Sequence, residues 1–215
     1  MTAELDLCGE RVVLLPERAL FWPRAEALVV ADTHFGKTDA FRAAGVPVPG
    51  GAAGTLARLT AALDVTSAKR LIVLGDFWHS RDGRTPEVVA ELAAWRAARL
   101  RLRIDLVRGN HDRAGPPPDG WGEWPTHERV ETPFVWSHFP DPSEVGYVLA
   151  GHLHPGLVVA GQGHQRVRLP CFWFGPQVGV LPAFGDFTGA ASVPIRPGDR
   201  VFVIAEDAVV KVSRG

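Results

Sequence analysis

Five short apolar runs along this chain each stop at a polar residue drawn from the same small set. Leu28-Val29-Val30-Ala31 stops at Asp32-Thr33-His34, and Leu71-Ile72-Val73-Leu74 stops at Gly75-Asp76. The run from Ile104 to Arg108 stops at Gly109-Asn110-His111-Asp112. Phe134-Val135-Trp136-Ser137 stops at His138, and Tyr147-Val148-Leu149-Ala150 at Gly151-His152-Leu153-His154. Short apolar runs bounded by glycine and polar residues read as buried strands. Between the first two, Leu56, Leu59 and Leu63 share one helical face, so that region reads as a β-α-β unit. Thr85-Pro86 predicts a second helix start, with Thr as cap and Pro at the first helical position. Val88, Val89, Leu92 and Trp95 then line one face to about Leu100.

The remaining segments read more simply. Residues 5 to 31 alternate as strands, with Pro16 and Pro23 marking turns or edges. Residues 38 to 50, with Pro47, Pro49 and Gly50-Gly51, read as a loop. Arg96, Arg99, Arg101 and Arg103 read as a solvated helix end that suits the negative terminus. Arg113 to Pro125 is a Pro/Gly-rich loop whose Trp121 and Trp124 either wall a site or pack on the sheet. From Leu157 onward the pattern is hairpins: Leu157–Ala160 with Val167–Leu169 across Gly161-Gln162-Gly163, and Val201–Ile204 with Val209–Val212 across Glu206-Asp207. No repeat or linker divides the chain, so residues 1–215 read as a single domain.

Composition narrows the class without naming a function. An apolar fraction of 46% and a charged fraction of 22% over 215 residues describe a soluble globular chain with a sizeable core. The formal net charge is −1, so no global field draws it to nucleic acid or to an anionic membrane. Cys8 and Cys171 stand far apart in no C-x-x-C, which argues against a disulfide framework and for a reducing cytoplasm. The N-terminus has no signal pattern, and no run reaches the roughly 18 apolar residues of a membrane span.

The residues at the strand ends carry the chemistry. Asp, Asn and His are ligands for borderline divalent metals, and they would be costly in a dry core without partners. Strands hold their ends rigidly, so loops at one rim of a sheet can converge. In Asp32-x-His34 both side chains lie on the same side of an extended chain and can reach one ion. Five of the eight histidines fall in these motifs, a concentration that scattered structural histidines would not show.

The ordered set Asp32-x-His34, Gly75-Asp76, Gly109-Asn110-His111-Asp112, His138 and Gly151-His152-x-His154 resembles the calcineurin-like metallophosphoesterases. The flanks Leu14 to Pro23 and Cys171-Phe172-Trp173-Phe174-Gly175 look like the bacterial DNA-ligase-associated members. The resemblance implies a mixed α/β (α+β) fold, a β-sandwich flanked by helices with a dinuclear metal site at the strand ends. It implies that Asp32, His34 and His154 hold one metal and that Asn110, His138 and His152 hold the second. Asp76 would bridge both. His111 would act on the leaving group or on phosphoryl charge without binding metal. The metals implied are two divalent transition ions, manganese by resemblance, with iron, zinc or nickel also suited to such ligands. Two ions about 3.5–4 Å apart activate a bridging hydroxide and clamp an in-line phosphoryl displacement.

One departure limits the likeness. Phosphoprotein phosphatases of this superfamily carry G-D-x-x-D-R-G, whereas here His79 stands for the second Asp and Arg81 is offset by one place. His79 reads as structural or as support for a ligand. Arg81 and Lys37 are candidate substrate-phosphate contacts, or plain surface cations. Asp112 either orients His111 or caps a helix. The reading is a metal-dependent phosphodiesterase or nuclease, and the resemblance of the flanks implies a link to DNA repair beside DNA ligase and helicase partners. The alternatives are a phosphomonoesterase or nucleotide pyrophosphatase, and a non-catalytic interaction scaffold.

Overall fold

The computed structural model describes residues 1–123, 127–160 and 166–212. Alternation broken at Cys8-Gly9 gives a hairpin, β1 (Ala3–Leu7) against β2 (Glu10–Leu15). β3 (Ala19–Trp22) and β4 (Ala27–Val30) extend it antiparallel. α1 (Lys37–Ala43) and α2 (Ala52–Thr66) cross over to β5 (Arg70–Leu74), which lies parallel to β4. α3 (Pro86–Ala97) then leads to β6 (Arg103–Val107), parallel to β5. The resulting six-stranded sheet runs in sequence order from β1 to β6.

Both faces of this sheet are buried, which is why β4 and β5 read as unbroken apolar runs. Leu28, Val30, Leu71 and Val73 turn to the helices, joining Leu56, Leu59, Leu63, Leu92 and Trp95. Ala27, Val29, Ile72 and Leu74 turn to the second sheet. The cap of α3 is as expected, with Thr85 Oγ1 accepting the Val88 amide at 3.4 Å.

The second sheet holds β7 (Glu128–Glu131), β8 (Phe134–Ser137), β9 (Tyr147–Ala150), β10 (Pro155–Ala160), β11 (Arg166–Phe174), β12 (Val178–Val180), β13 (Ala191–Ser192), β14 (Arg200–Ala205) and β15 (Ala208–Val212). Its order is β13-β10-β11-β12-β9-β8-β7, with β14 paired to β11 and β15. β8, β9 and β12 are parallel neighbours, so β8 and β9 deliver their ends to one rim. Between the sheets lie Trp22, Phe134, Trp136, Leu149, Phe172 and Phe202. Trp22 meets Phe134 edge to face at 5.0 Å between centroids. This is a sandwich with its helices on the outer face of the first sheet.

At the end away from the strand C-termini of the first sheet, charge ties the two sheets together. Arg70, at the start of β5, donates Nη1 and Nη2 to the Glu131 carboxylate on β7 at 2.8 and 2.7 Å. Its Nε donates to Asp105 on β6 at 2.5 Å, and Arg129 reaches the same carboxylate at 2.6 Å.

Two expectations need correction, and one open choice is decided. Residues 38–50 are not all loop, since α1 occupies 37–43; a seven-residue helix is too short to show a periodic stripe. The basic run is only partly solvated. Arg96 donates to the carbonyls of Gly120 and Leu102, at 2.6 and 2.9 Å, and Arg99 lies over the Trp95 ring at 4.5 Å. These side chains fasten the turn that ends α3. Trp121 is fully buried, stacked on Trp95 at 5.0 Å and donating to the Leu92 carbonyl, so it packs under α3 and is not a platform at a site. Trp124 and the turn 161–163 lie outside the described residues.

Candidate metal centre

The ends of β4, β5, β6, β8 and β9 meet at one rim, and hydrogen bonds lock their loops together. The amide of Asp32 donates to the Gly75 carbonyl at 3.2 Å, and that of His34 to the Asp76 carbonyl at 2.9 Å. The amide of His152 donates to Asp32 Oδ2 at 2.9 Å, and that of His111 to Asp76 Oδ1 at 2.8 Å. Asp32, His34, Asp76 and His138 are buried, while Asn110, His111 and His152 reach solvent.

Two groups of converging ligand atoms result. Asp32, His34 and His154 form one, and Asp76, His138 and His152 form the other, each with its atoms within 4.8 Å of one another. Asn110 Oδ1 joins the second group at 2.9 Å from His138 Nε2. Asp76 lies between them, with Oδ2 3.8 Å from His34 Nε2 and Oδ1 3.5 Å from His138 Nε2.

The nitrogens are arranged as metal ligands require. His138 Nδ1 donates to the Leu74 carbonyl at 3.1 Å, and His154 Nδ1 to the Gly189 carbonyl at 3.2 Å. In each ring this leaves Nε2 facing inward. His138 Nε2 faces His152 Nδ1 at 3.2 Å, and His154 Nε2 faces His34 Nε2 at 3.3 Å. Two imidazole nitrogens on one ion, each at about 2.0–2.1 Å, stand roughly 3–3.4 Å apart. The residues present therefore fit a pair of ions. Burial, followed by the neighbouring charges of His154 and Lys37, pushes His34 down to about 2, so its ring is neutral and free to coordinate. Burial pushes the Asp76 carboxyl up, a cost that nearby positive charge relieves.

The backbone is strained at the same places. Asp32, His34, Asp76, His152 and His154 all take positive φ, between 43° and 68°. Such residues each cost of order 1–3 kcal/mol and persist where the surroundings over-determine them. Two motif glycines make room for other motifs' side chains. A Cβ on Gly75, itself at φ 77°, would meet the His138 ring at 2.4 Å, and one on Gly109 would meet Asp76 Oδ1 at 2.2 Å. The φ of Gly109 is not positive, so alanine there adds only the collision. Gly109→Ala is expected to lower metal affinity and kcat/KM by about 10–100-fold, the range seen when groups supporting a ligand are lost. Calorimetric metal titration and steady-state rates check it.

The other named residues divide. His111 holds its ring through Nδ1, which donates to the His79 carbonyl at 2.7 Å, leaving Nε2 4.0 Å from Asp76 Oδ2. Asp112 does not touch that ring. Its carboxylate accepts the amides of Gly109 at 2.7 Å and Trp78 at 3.1 Å, pinning the two motif loops. Burial raises it to about 6 against those two bonds. Asp112→Asn, which removes one of two acceptors, is expected to cost about 1–3 kcal/mol in denaturant unfolding. The Lys37 ammonium makes no hydrogen bond or ion pair among the described residues. Burial depresses its pKa, and Asp32 and Asp76 lie close enough to pull it back up. Arg81 is exposed, and among the described residues no hydrogen bond or ion pair brings its guanidinium to the centre. His79 sits beside the centre, in keeping with a supporting role. Its ring stacks on His111 at 5.6 Å, and with His34 and His111 it forms a third group of convergent nitrogens. The only sequence signal was its place three residues after Asp76.

Comparison with known proteins agrees with this geometry. The family model of the calcineurin-like phosphoesterases matches residues 26–141, just over half of the chain. The crystal structure of Pseudomonas putida nuclease MPE is 37% identical and superposes with a TM-score of 0.86, covering 99% of this chain and 100% of that one. The Escherichia coli phosphoesterase Yfce is 14% identical with a TM-score of 0.45, covering 86% of this chain and 97% of that one, and no argument rests on it. No curated protein sequence matches significantly. With the fold, the rim geometry and the full-length likeness in agreement, this chain belongs to the calcineurin-like phosphoesterase family.

Proposed function

We propose that the protein is a phosphodiesterase acting on nucleic acid, a nuclease of DNA repair working beside DNA ligase and helicase partners in the reducing cytoplasm. The coarser activity, metal-dependent phosphoester hydrolysis, comes with the family. The observation that carries the finer reading is the 37% identity over the whole chain to a protein described as a nuclease. The openness of the rim supports it, since exposed His111 and His152 leave space for a strand to pass. Family resemblance to the ligase-associated members supports the partners. Cys8 and Cys171, both unpaired, suit the compartment. No helix among the described residues is long and apolar enough to cross a membrane.

In this reading Asp32, His34 and His154 hold one ion, Asn110, His138 and His152 the other, and Asp76 both. When bound there, such ions, manganese by resemblance, would supply Lewis-acid charge and a nucleophile at neutral pH. The chain's own residues do the rest. Neutral Asn110 adds an oxygen without adding charge, so the centre stays positive toward a phosphate. The His79 carbonyl fixes His111 at Nδ1, so its Nε2 would turn to the leaving oxygen of the ester. Lys37, close enough to Asp32 and Asp76 to feel both charges, would supply a cation to a phosphoryl oxygen.

The test is one panel. Chelated protein is expected to be inactive, and manganese to restore cleavage of bis-p-nitrophenyl phosphate and single-stranded DNA more than of p-nitrophenyl phosphate. A preference for the monoester would replace this reading with the phosphomonoesterase alternative.

A further inference from the structure

The stretch from Leu14 to Pro23 contributes no metal ligand, yet its Arg18 reaches the edge of the centre. Arg18 sits in the turn between β2 and β3 at φ 65°. Its Nη1 donates to the carbonyls of Gly185 at 3.2 Å and Ala183 at 3.5 Å. Its Nε and Nη2 make no hydrogen bond among the described residues. The guanidinium lines a cavity together with Arg168, Thr188, Gly189 and His154, so the wall includes a residue of the first ion group. Arg168, on β11, is steadied by the Ala190 carbonyl through Nη1 alone.

Charge in this corner is unbalanced. The carboxylate nearest Arg18 is Asp186, 3.9 Å away, and it is already paired with Arg58. Arg58 and Arg18 thus share one counter-charge, and Arg168 has no ion pair among the described residues. Guanidiniums with free donors on a cavity wall are suited to a phosphate, which they bind through paired N–H groups. His154 belongs to the first ion group, so a phosphate bound at that group would adjoin this cavity, and in a nucleic acid the next anion along the strand is another phosphodiester.

We propose that this cavity is a subsite for the phosphate neighbouring the scissile one, held by Arg18 and Arg168. It rests on the nucleic-acid reading above. It gives the Leu14–Pro23 stretch a function: selecting a polymer over a single phosphodiester.

The experiment compares a dinucleoside monophosphate with the trinucleoside diphosphate that carries one more phosphate, using the full chain with manganese. In the wild type the added phosphate is expected to raise kcat/KM about tenfold or more, the scale of a charged hydrogen-bonded contact. Arg168→Gln and Arg18→Gln each lower that ratio, and together they bring it near one. Arg18→Lys retains part of it. A fold defect would lower both rates and leave the ratio intact. Exposed Arg168 keeps the test usable even when the Arg18 variant folds poorly. An unchanged ratio in both variants overturns the subsite. Failure of the nucleic-acid reading shows instead in the wild type, as hydrolysis of p-nitrophenyl phosphate with neither nucleotide cleaved, and the subsite falls with it.

Discussion

Asp76→Asn is expected to lower kcat/KM by at least about a thousandfold, roughly 4 kcal/mol of barrier, while the protein stays folded. The carboxylate lies between the two ligand groups, 3.8 Å from His34 on one side and 3.5 Å from His138 on the other. Among the described residues no other carboxylate joins the second group, so Asp76 would offset the repulsion of two neighbouring cations there. Asparagine keeps the shape and an acceptor for the His111 amide but removes the charge. Burial already pushes this carboxyl toward its neutral form, so the neutral isostere costs the metal-free fold little. Elemental analysis should show fewer than two ions per chain, with circular dichroism unchanged. Full activity with both ions bound would remove Asp76 from the mechanism.

Arg70→Met is expected to cost about 3–5 kcal/mol of stability, the scale of breaking a buried ion pair from one side. Arg70 is 8% exposed in its side chain and serves two carboxylates from different strands, Asp105 on β6 and Glu131 on β7. Methionine fills the volume but takes the paired guanidinium from Glu131 and leaves Asp105 to Arg129 and Arg103. The pH dependence gives the signature. Hydrogen bonds from Arg70 hold the Glu131 carboxyl below its ordinary 4.5. A depressed acid stabilises the fold fully above its unfolded value and loses that contribution as pH falls through the folded one. Wild-type stability should therefore drop on acidification below about 4.5, and this part of the slope should vanish in the variant. Urea unfolding at pH 7 and pH 4 measures both effects. This cluster lies at the opposite end of the sheet from the metal centre, so metal affinity should not change.

The strands of this fold were legible because burial on both faces writes them as apolar runs, and each delivers its polar residue directly after the last buried position. Which side chains meet at the rim was legible for the same reason: Asp32, Asp76, Asn110, His138, His152 and His154 all follow such runs. What the sequence left hidden depends on contacts between distant segments. Arg70 and Glu131 lie 61 residues apart and meet only through the stacking of two sheets. Asp112 read as orienting His111 or as capping a helix, but its oxygens turn back to Gly109 and across to Trp78. α1 is too short for periodicity to mark it. Trp121, set in a Pro/Gly-rich loop, gave no hint that its indole fills the space under Trp95. His79 was read by its departure from a motif, and motif spacing carries no information on ring stacking.

The central claim is that the strand ends hold two ions with one carboxylate between them. Anomalous diffraction at the manganese edge, on crystals of the full chain soaked in that metal, tests it directly. The account predicts two peaks about 3.5–4 Å apart, one among Asp32, His34 and His154, the other among Asn110, His138 and His152, with Asp76 touching both. A single peak, or a pair centred away from Asp76, would contradict it.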